Sequence, residues 1–214
     1  MADRLLLAGA GGLTSEVIAV LRGARDPREI VVLDDRAELR GTTILSAPVI
    51  GGIDDVGDHP DADILICVGN GAKRETIAAR LTLLGIADKR YTTLVHPAVE
   101  IPAGCSVGRG SILLAGVVMT ATVTVGRHVV AMPQATMTHD NVIDDFATLC
   151  AGVSLGGFVH VGRSAYLGMN SCVRQNVTVG DGTTLGMGAV LLADLPVGET
   201  WAGVPARSLS RWAQ

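Results

Sequence analysis

The chain has 214 residues, 18% of them charged, a formal net charge of −4 and a mean hydropathy of +0.41. That length allows one or two domains, and a weakly acidic chain with no basic stripe argues against a nucleic-acid partner. No apolar run approaches the ~20 residues of a membrane span, and residues 5–8, preceded by Asp3 and Arg4, are too short for a secretory signal.

In chain order, residues 4–10 (RLLLAGA) read as a buried strand ending in glycines. Residues 14–22 carry Val17, Ile18 and Leu21 at helical spacing. Residues 29–35 (EIVVLDD) form a second strand ending in acids, and 63–69 (DILICVG) a third. Residues 73–84 repeat the helical spacing with Ile77, Leu81 and Leu84, and 91–95 predict a last strand before His96-Pro97. Strands alternating with helices predict a small parallel α/β sheet covered on both faces. Pro97 and Pro102 mark its end, which divides the chain into a domain over 1–95, a second over 96–198 and a tail over 199–214.

Gly9-Ala10-Gly11-Gly12 ends the first strand and opens a helix. Such a turn presents backbone N–H groups at a helix N-terminus, which favours phosphate; a glycine turn for tight packing is the other reading. Asp34 and Asp35 end the second strand, where an α/β crevice meets a ribose or base, and Gly69-Asn70-Gly71 ends the third at the same edge. About 95 residues are too few for two mononucleotide halves, so the crevice suits a single nucleotide rather than a nicotinamide dinucleotide.

From Ile101 to Val197 an aliphatic or small apolar residue stands at every sixth position, 17 in phase, 14 of them Ile, Leu or Val. Neither a helix nor a plain strand keeps that period, whereas a hexapeptide parallel β-helix requires it. Two residues before each lies a mostly small inward residue, and the residue after is often glycine, as at Gly108, Gly126, Gly156, Gly162, Gly168, Gly180, Gly186 and Gly198. These glycines are expected to serve sharp corners. The 3% aromatic content fits a narrow prism with little room for rings.

Three hexapeptides make a coil of 18 residues, so Gly157 is expected to stack on His139 about 4.8 Å away. A histidine beside bare backbone leaves room for a thin ligand, and Asp140 is placed to orient the ring; a surface His-Asp pair without a role is the bland alternative. His128 and His160 are expected to be solvated. Asn141 falls in an inward slot, where a buried amide needs partners. The histidines occupy different places on the coil, which disfavours a metal site. Cys67, Cys105, Cys150 and Cys172 show no CxxC spacing, so packed free thiols of a reducing cytoplasm are expected.

The motifs GAGG (9–12), LDD (33–35), VGNGAKR (68–74), VHP (95–97), THDNVIDDF (138–146) and GVPAR (203–207) together resemble the nucleotide-sugar acetyltransferases of the sialic acid O-acetyltransferase and bacillosamine N-acetyltransferase type. The resemblance spans nearly the whole chain. It implies a Rossmann-like domain followed by a left-handed β-helix, assembled as a cytoplasmic homotrimer with acetyl-CoA between neighbouring prisms and no metal. It implies His139 as general base tuned by Asp140, and pantetheine over Gly157, Met169 and Gly186. It also implies Arg207 on CoA phosphate, and a nucleotide-linked amino sugar on Gly9, Gly11, Gly12, Asp34, Asp35 and Asn70. N-acetylation of a UDP-4-amino-sugar type acceptor for a surface glycan is the leading expectation. O-acetylation of a sialic acid-like hydroxyl and a sugar-nucleotide-binding scaffold are the alternatives. Three positions depart from the family: Leu13 and Thr148 stand where many members have histidine, and Met132 where many have asparagine. Met132, Met169 and Met187 are candidates for an acyl pocket or for corner packing.

Overall fold

A computed structural model of the chain describes residues 2–209. Residues 210–214 of the expected tail lie outside the described residues. The first part holds β1 (Arg4–Ala8), α1 (Gly12–Gly23), β2 (Glu29–Leu33), β3 (Thr43–Ile44), β4 (Ala47–Gly51), β5 (Asp63–Ile66) and α2 (Gly71–Leu83). The sheet order is β3-β4-β2-β1-β5. Strand β1 is apolar on both faces: Leu5 and Leu7 pack with Val17, Ile18 and Leu21 of α1, whereas Leu6 and Ala8 pack with Ala78 and Leu81 of α2. That is why it reads as a continuous apolar run. The sheet is mixed rather than wholly parallel, because β3 and β4 form an antiparallel hairpin. Its turn uses Leu45 and Ser46, both at positive φ. Neither is the glycine or asparagine that normally announces such a turn, and Pro48 weakens the strand signal further.

Fifteen two-residue strands follow, from Ser106–Val107 to Val190–Leu191, in three parallel sheets. Partners are 18 residues apart, as in Val130↔Thr148 and Ala131↔Leu149. The first face of this left-handed prism starts at Ser106–Val107, the second at Ile112–Leu113 and the third at Val118–Met119. The six-residue column fills the interior: Leu113, Ala131, Met137, Leu149, Leu167 and Leu185 are fully buried.

The period slips at its ends. Ile101 and Val197 are exposed, and Val179 bridges Leu195 rather than Val197. Pro102 and Pro196 stand beside these slips. The segment expected as one last strand divides: Tyr91 bridges Ile64 of β5 at the edge of the α/β sheet, whereas Leu94–Val95 pairs with Ile112–Leu113 and so belongs to the second face.

Apart from Gly198, the glycines after the aliphatic column are not the sharp corners. Left-handed φ falls two residues later, at every sixth position from Gly104 to Gly188, and nine of those fifteen residues are not glycine. Gly156 and Gly168 serve close stacking instead: a Cβ on either would stand 2.6 Å from a backbone nitrogen of the next coil, at Gln175 and Met187.

The α/β domain lies on the second face. The outward residues Ile112, Val130 and Thr148 are fully buried, and Ile112 and Val130 share one apolar cluster with Leu13, Leu94 and Leu114. Arg74 of α2 pins the seam. Its Nε donates to His128 O at 2.9 Å and its Nη1 to Val68 O at 2.7 Å and Gly69 O at 2.9 Å. Its Nη2 donates to Phe146 O at 2.7 Å and to Ala147 O and Thr148 Oγ1 at 2.9 Å. Burial without a carboxylate lowers this guanidinium to about 10, so it stays charged at neutral pH.

His128 is buried, contrary to expectation. It occupies a left-handed corner, where its ring lies over Gly110 and stacks on Phe146 at 5.0 Å, with Tyr91 edge-on at 4.6 Å. Neither ring nitrogen has a partner, and burial lowers its pKa to about 4 from an ordinary 6.5. Between those values the unfolded chain holds the extra proton. Stability is therefore expected to fall as pH drops from 6.5 to 4, by up to about 3 kcal/mol, with no further loss from this group below 4. Denaturant titrations at pH 7 and pH 4.5 check this: His128→Phe, a residue that the corners at Phe146 and Phe158 accept, should shrink the difference.

Candidate active site

His139 stands at the corner between the third and first faces, after Thr136–Met137 and before Val142–Ile143. Its ring is half exposed, and its Nδ1 lies 2.9 Å from Asp140 Oδ2. Thr122, one coil below, donates from Oγ1 to Asp140 Oδ1 at 2.6 Å. The Thr122 hydroxyl first, then the imidazole, hold the Asp140 carboxyl below its usual range. An ionised carboxylate only accepts hydrogen bonds, so the pair favours the proton on Nδ1 and the lone pair on Nε2.

The imidazole lies over Gly157 as the coil spacing required. A Cβ on Gly157 would overlap ring atoms Cε1 and Nε2 of His139. Phe158 meets the same ring edge-on at 5.1 Å. Gly157→Ala is expected to push the ring from Asp140 and cut turnover by about 10²-fold while leaving the melting temperature nearly unchanged. Steady-state kinetics alongside thermal unfolding check both. Asn141 is fully buried and donates from Nδ2 to Gly156 O at 2.7 Å, tying down the turn that carries Gly157.

Met169, which is exposed, lies at a different corner, between the second and third faces. Gly186 is one coil above, where a Cβ would meet Ala202 Cβ at 2.7 Å. Arg207 is on the short strand Arg207–Ser208, paired with Thr200–Ala202. One chain therefore brings Met169, Gly186 and Arg207 to one end of the prism, apart from Gly157 and His139.

In the α/β domain, a cleft of about 440 Å³ opens between Gly9, Asp34 and Asp35 on one side and Lys73, Thr76, Ile77 and Arg80 of α2 on the other. Gly11, Gly12 and Asn70 are not among its walls. Gly11 opens α1 with no side-chain cap and no acid in the first turn, whereas Asn70 caps α2 by accepting from Lys73 N at 3.0 Å. Asp34 accepts from Ala10 N at 2.7 Å and from Arg36 Nε at 2.8 Å, and Arg36 above all lowers its pKa. Asp35 accepts from Ile53 N at 3.0 Å and Arg80 Nη1 at 2.6 Å. The α2 wall carries an i, i+3, i+4, i+7 helix face that the sequence did not mark as a site: Lys73 stood only within the VGNGAKR motif and Ile77 only as a core residue.

The three departures from the family have structural places. Leu13 and Met132 join the apolar seam between the domains. Thr148 is buried and donates to Gly69 O at 2.9 Å while accepting from Arg74. Of the cysteines, Cys67 and Cys150 are buried, Cys105 is half-buried and Cys172, against expectation, is exposed.

Residues 4–81 match the PglD N-terminal domain model. The acetyltransferase domain of PglB from Neisseria gonorrhoeae FA1090, solved in complex with acetyl coenzyme A, is 33% identical with a TM-score of 0.88, over 98% of this chain and 100% of that one. The chain belongs to the nucleotide-sugar acetyltransferase family of hexapeptide-repeat proteins. PerB from Caulobacter crescentus, solved with CoA and GDP-perosamine, is a 25% identical member with a TM-score of 0.85, matching over 96% of each chain. Among curated relatives, the UDP-3-O-acylglucosamine N-acyltransferase of Caulobacter sp. (strain K31) is 29% identical over a 148-residue alignment that covers 56% of this chain. The chain spans 44% of that enzyme's length. No helix among the described residues is long and apolar enough to cross a membrane.

Proposed function

We propose that the chain is an acetyl-CoA-dependent N-acetyltransferase acting on a nucleotide-linked amino sugar, of the UDP-4-amino-sugar type, for a surface glycan. The observation that carries this reading is the His139–Asp140 pair laid over bare Gly157. A protonated amine is not a nucleophile. Nε2 of His139 takes a proton as the sugar nitrogen attacks the thioester carbonyl; the new N–C bond forms and the C–S bond breaks. Asp140 stabilises the imidazolium, which returns the proton to the departing sulfur. The attack is direct in this reading: Cys150 is buried at another corner, and the exposed Cys172 stands on a strand of the third face two coils above Thr136.

The placement of the parts supports a homotrimer with sites between subunits. The α/β domain covers the second face, and His139 stands on the corner opposite that face. Cleft and base therefore meet only when two copies pack together, and the same holds for Gly157 and the set Met169, Gly186 and Arg207. Exposed Val118, Val142 and Phe158 flank the His139 corner and supply apolar area for a neighbouring prism.

The test offers acetyl-CoA with UDP- and GDP-linked 4-amino sugars and matched hydroxy sugars, read by thiol release and product mass. Acetylated amino sugar alone is expected. Product from the hydroxy sugar alone overturns the acceptor class in favour of O-acetylation. No product together with no acetyl-CoA binding at millimolar ligand overturns the enzyme reading in favour of a scaffold.

A further inference from the structure

We propose that Thr122 is a positioning residue that sets His139 as a base by locking Asp140; this rests on the reading of His139 given above. Asp140 is held at three points. Its N–H donates to Ala121 O at 3.0 Å, its Oδ2 faces His139 Nδ1, and its Oδ1 accepts from Thr122 Oγ1 at 2.6 Å. The carboxylate is 39% exposed. With only the imidazole as partner it would turn freely about its side-chain bonds and solvate in several poses. The hydroxyl removes that freedom from one coil away.

Thr122 is an unusual choice for its place. It takes φ 52, and of the nine non-glycine residues in the left-handed corner column it is the one β-branched residue. The others are His, Gln, Asp, Phe, Ser and Asn. A β-branched residue is a genuine outlier there, and the backbone of such a corner is served better by glycine or asparagine. What threonine adds is a hydroxyl on a side chain that is stiff about χ1, so the donor is aimed rather than free to swing. The strain and the hydrogen bond meet on one residue, and that bond ends on the acid of the pair.

Three variants separate this role from a structural one. In Thr122→Val the hydroxyl goes and the strained branch stays; in Thr122→Gly both go; in Thr122→Ser the hydroxyl stays. The Val and Gly variants are expected to lose about tenfold in kcat, with KM for both substrates within about twofold, and Ser to stay near wild type. Thr122→Gly is expected to unfold at or above the wild-type temperature, since it relieves the corner; a merely structural hydroxyl predicts a clear drop. Nitrogen-15 spectra of the imidazole supply a readout independent of turnover. The wild type should show His139 protonated on Nδ1, and the Val variant a mixture of tautomers. Unchanged kcat and unchanged tautomer in both Val and Gly variants would overturn the proposal. Full activity in His139→Ala would instead remove the base assignment, while the spectra would still report whether Thr122 governs the ring.

Discussion

Replacing His139 with alanine is expected to lower acetyl transfer by about 10²–10⁴-fold, the usual contribution of a positioned general base. The fold should survive, because the ring is half exposed and covers only the bare backbone of Gly157. Asp140 keeps its bonds from Thr122 and to Ala121, so the corner stays closed. Kinetics at saturating acetyl-CoA, with size-exclusion chromatography and thermal unfolding as controls, decide the matter. A variant with wild-type turnover would strip His139 of its role. A variant that no longer folds would contradict its exposed position.

The largest loss of stability is expected at Arg74. Substitution by alanine strands the carbonyls of Val68, His128 and Phe146 in the seam between the domains, and leaves Gly69 O and Ala147 O with only Thr148 Oγ1 and Val130 N. Hydrogen bonds to a charged donor are among the stronger ones, and buried acceptors left bare cost more than the bond was worth. A loss of about 4–5 kcal/mol is expected, the range reserved for broken buried networks. Lysine should not rescue it, since three donors on a point charge cannot reproduce a planar fork reaching both sides of the seam. Scanning calorimetry checks this through its shape as well as its midpoint. Without Arg74 the α/β domain should melt ahead of the prism, splitting one transition into two; a single transition at the wild-type temperature would refute the role.

Much of the prism was legible in the sequence because its rule is strict: period six, two strand residues, 18 per coil. That rule placed Gly157 against His139, one coil above it, from spacing alone. It failed where other physics took over. The glycine column was assigned to corners, but backbone stacking between coils is what excludes a Cβ at Gly156 and Gly168. His128 was assigned to solvent, because a repeat describes the prism and says nothing of Tyr91 and Phe146 closing over its ring. The α/β domain was legible as strand and helix but not as a site. Asp34 and Asp35 line a cleft against α2, yet their arginine partners Arg36 and Arg80 depend on tertiary approach. Arg74 lay within a noted motif, and no local pattern announces a buried guanidinium that bonds only neutral acceptors. The cleft wall on α2 has plain helical spacing but carries Lys73 and Arg80, and a charged helix face ordinarily points to solvent.

The unbroken left-handed corner at every sixth residue also limits how such a chain can change length. A single inserted residue would turn every later buried side chain outward and aim each later corner at a strand. Six added residues would keep the alternation but send each later element to the next face, moving His139 away from its corner. Only a whole coil of 18 leaves every column in place. The prism can thus lengthen or shorten only in large quanta, whereas the loops around the cleft between Asp34 and Arg80 can drift one residue at a time. On the proposed function, a new acceptor and an unchanged transfer step would be two outcomes of one difference in tolerance to insertion.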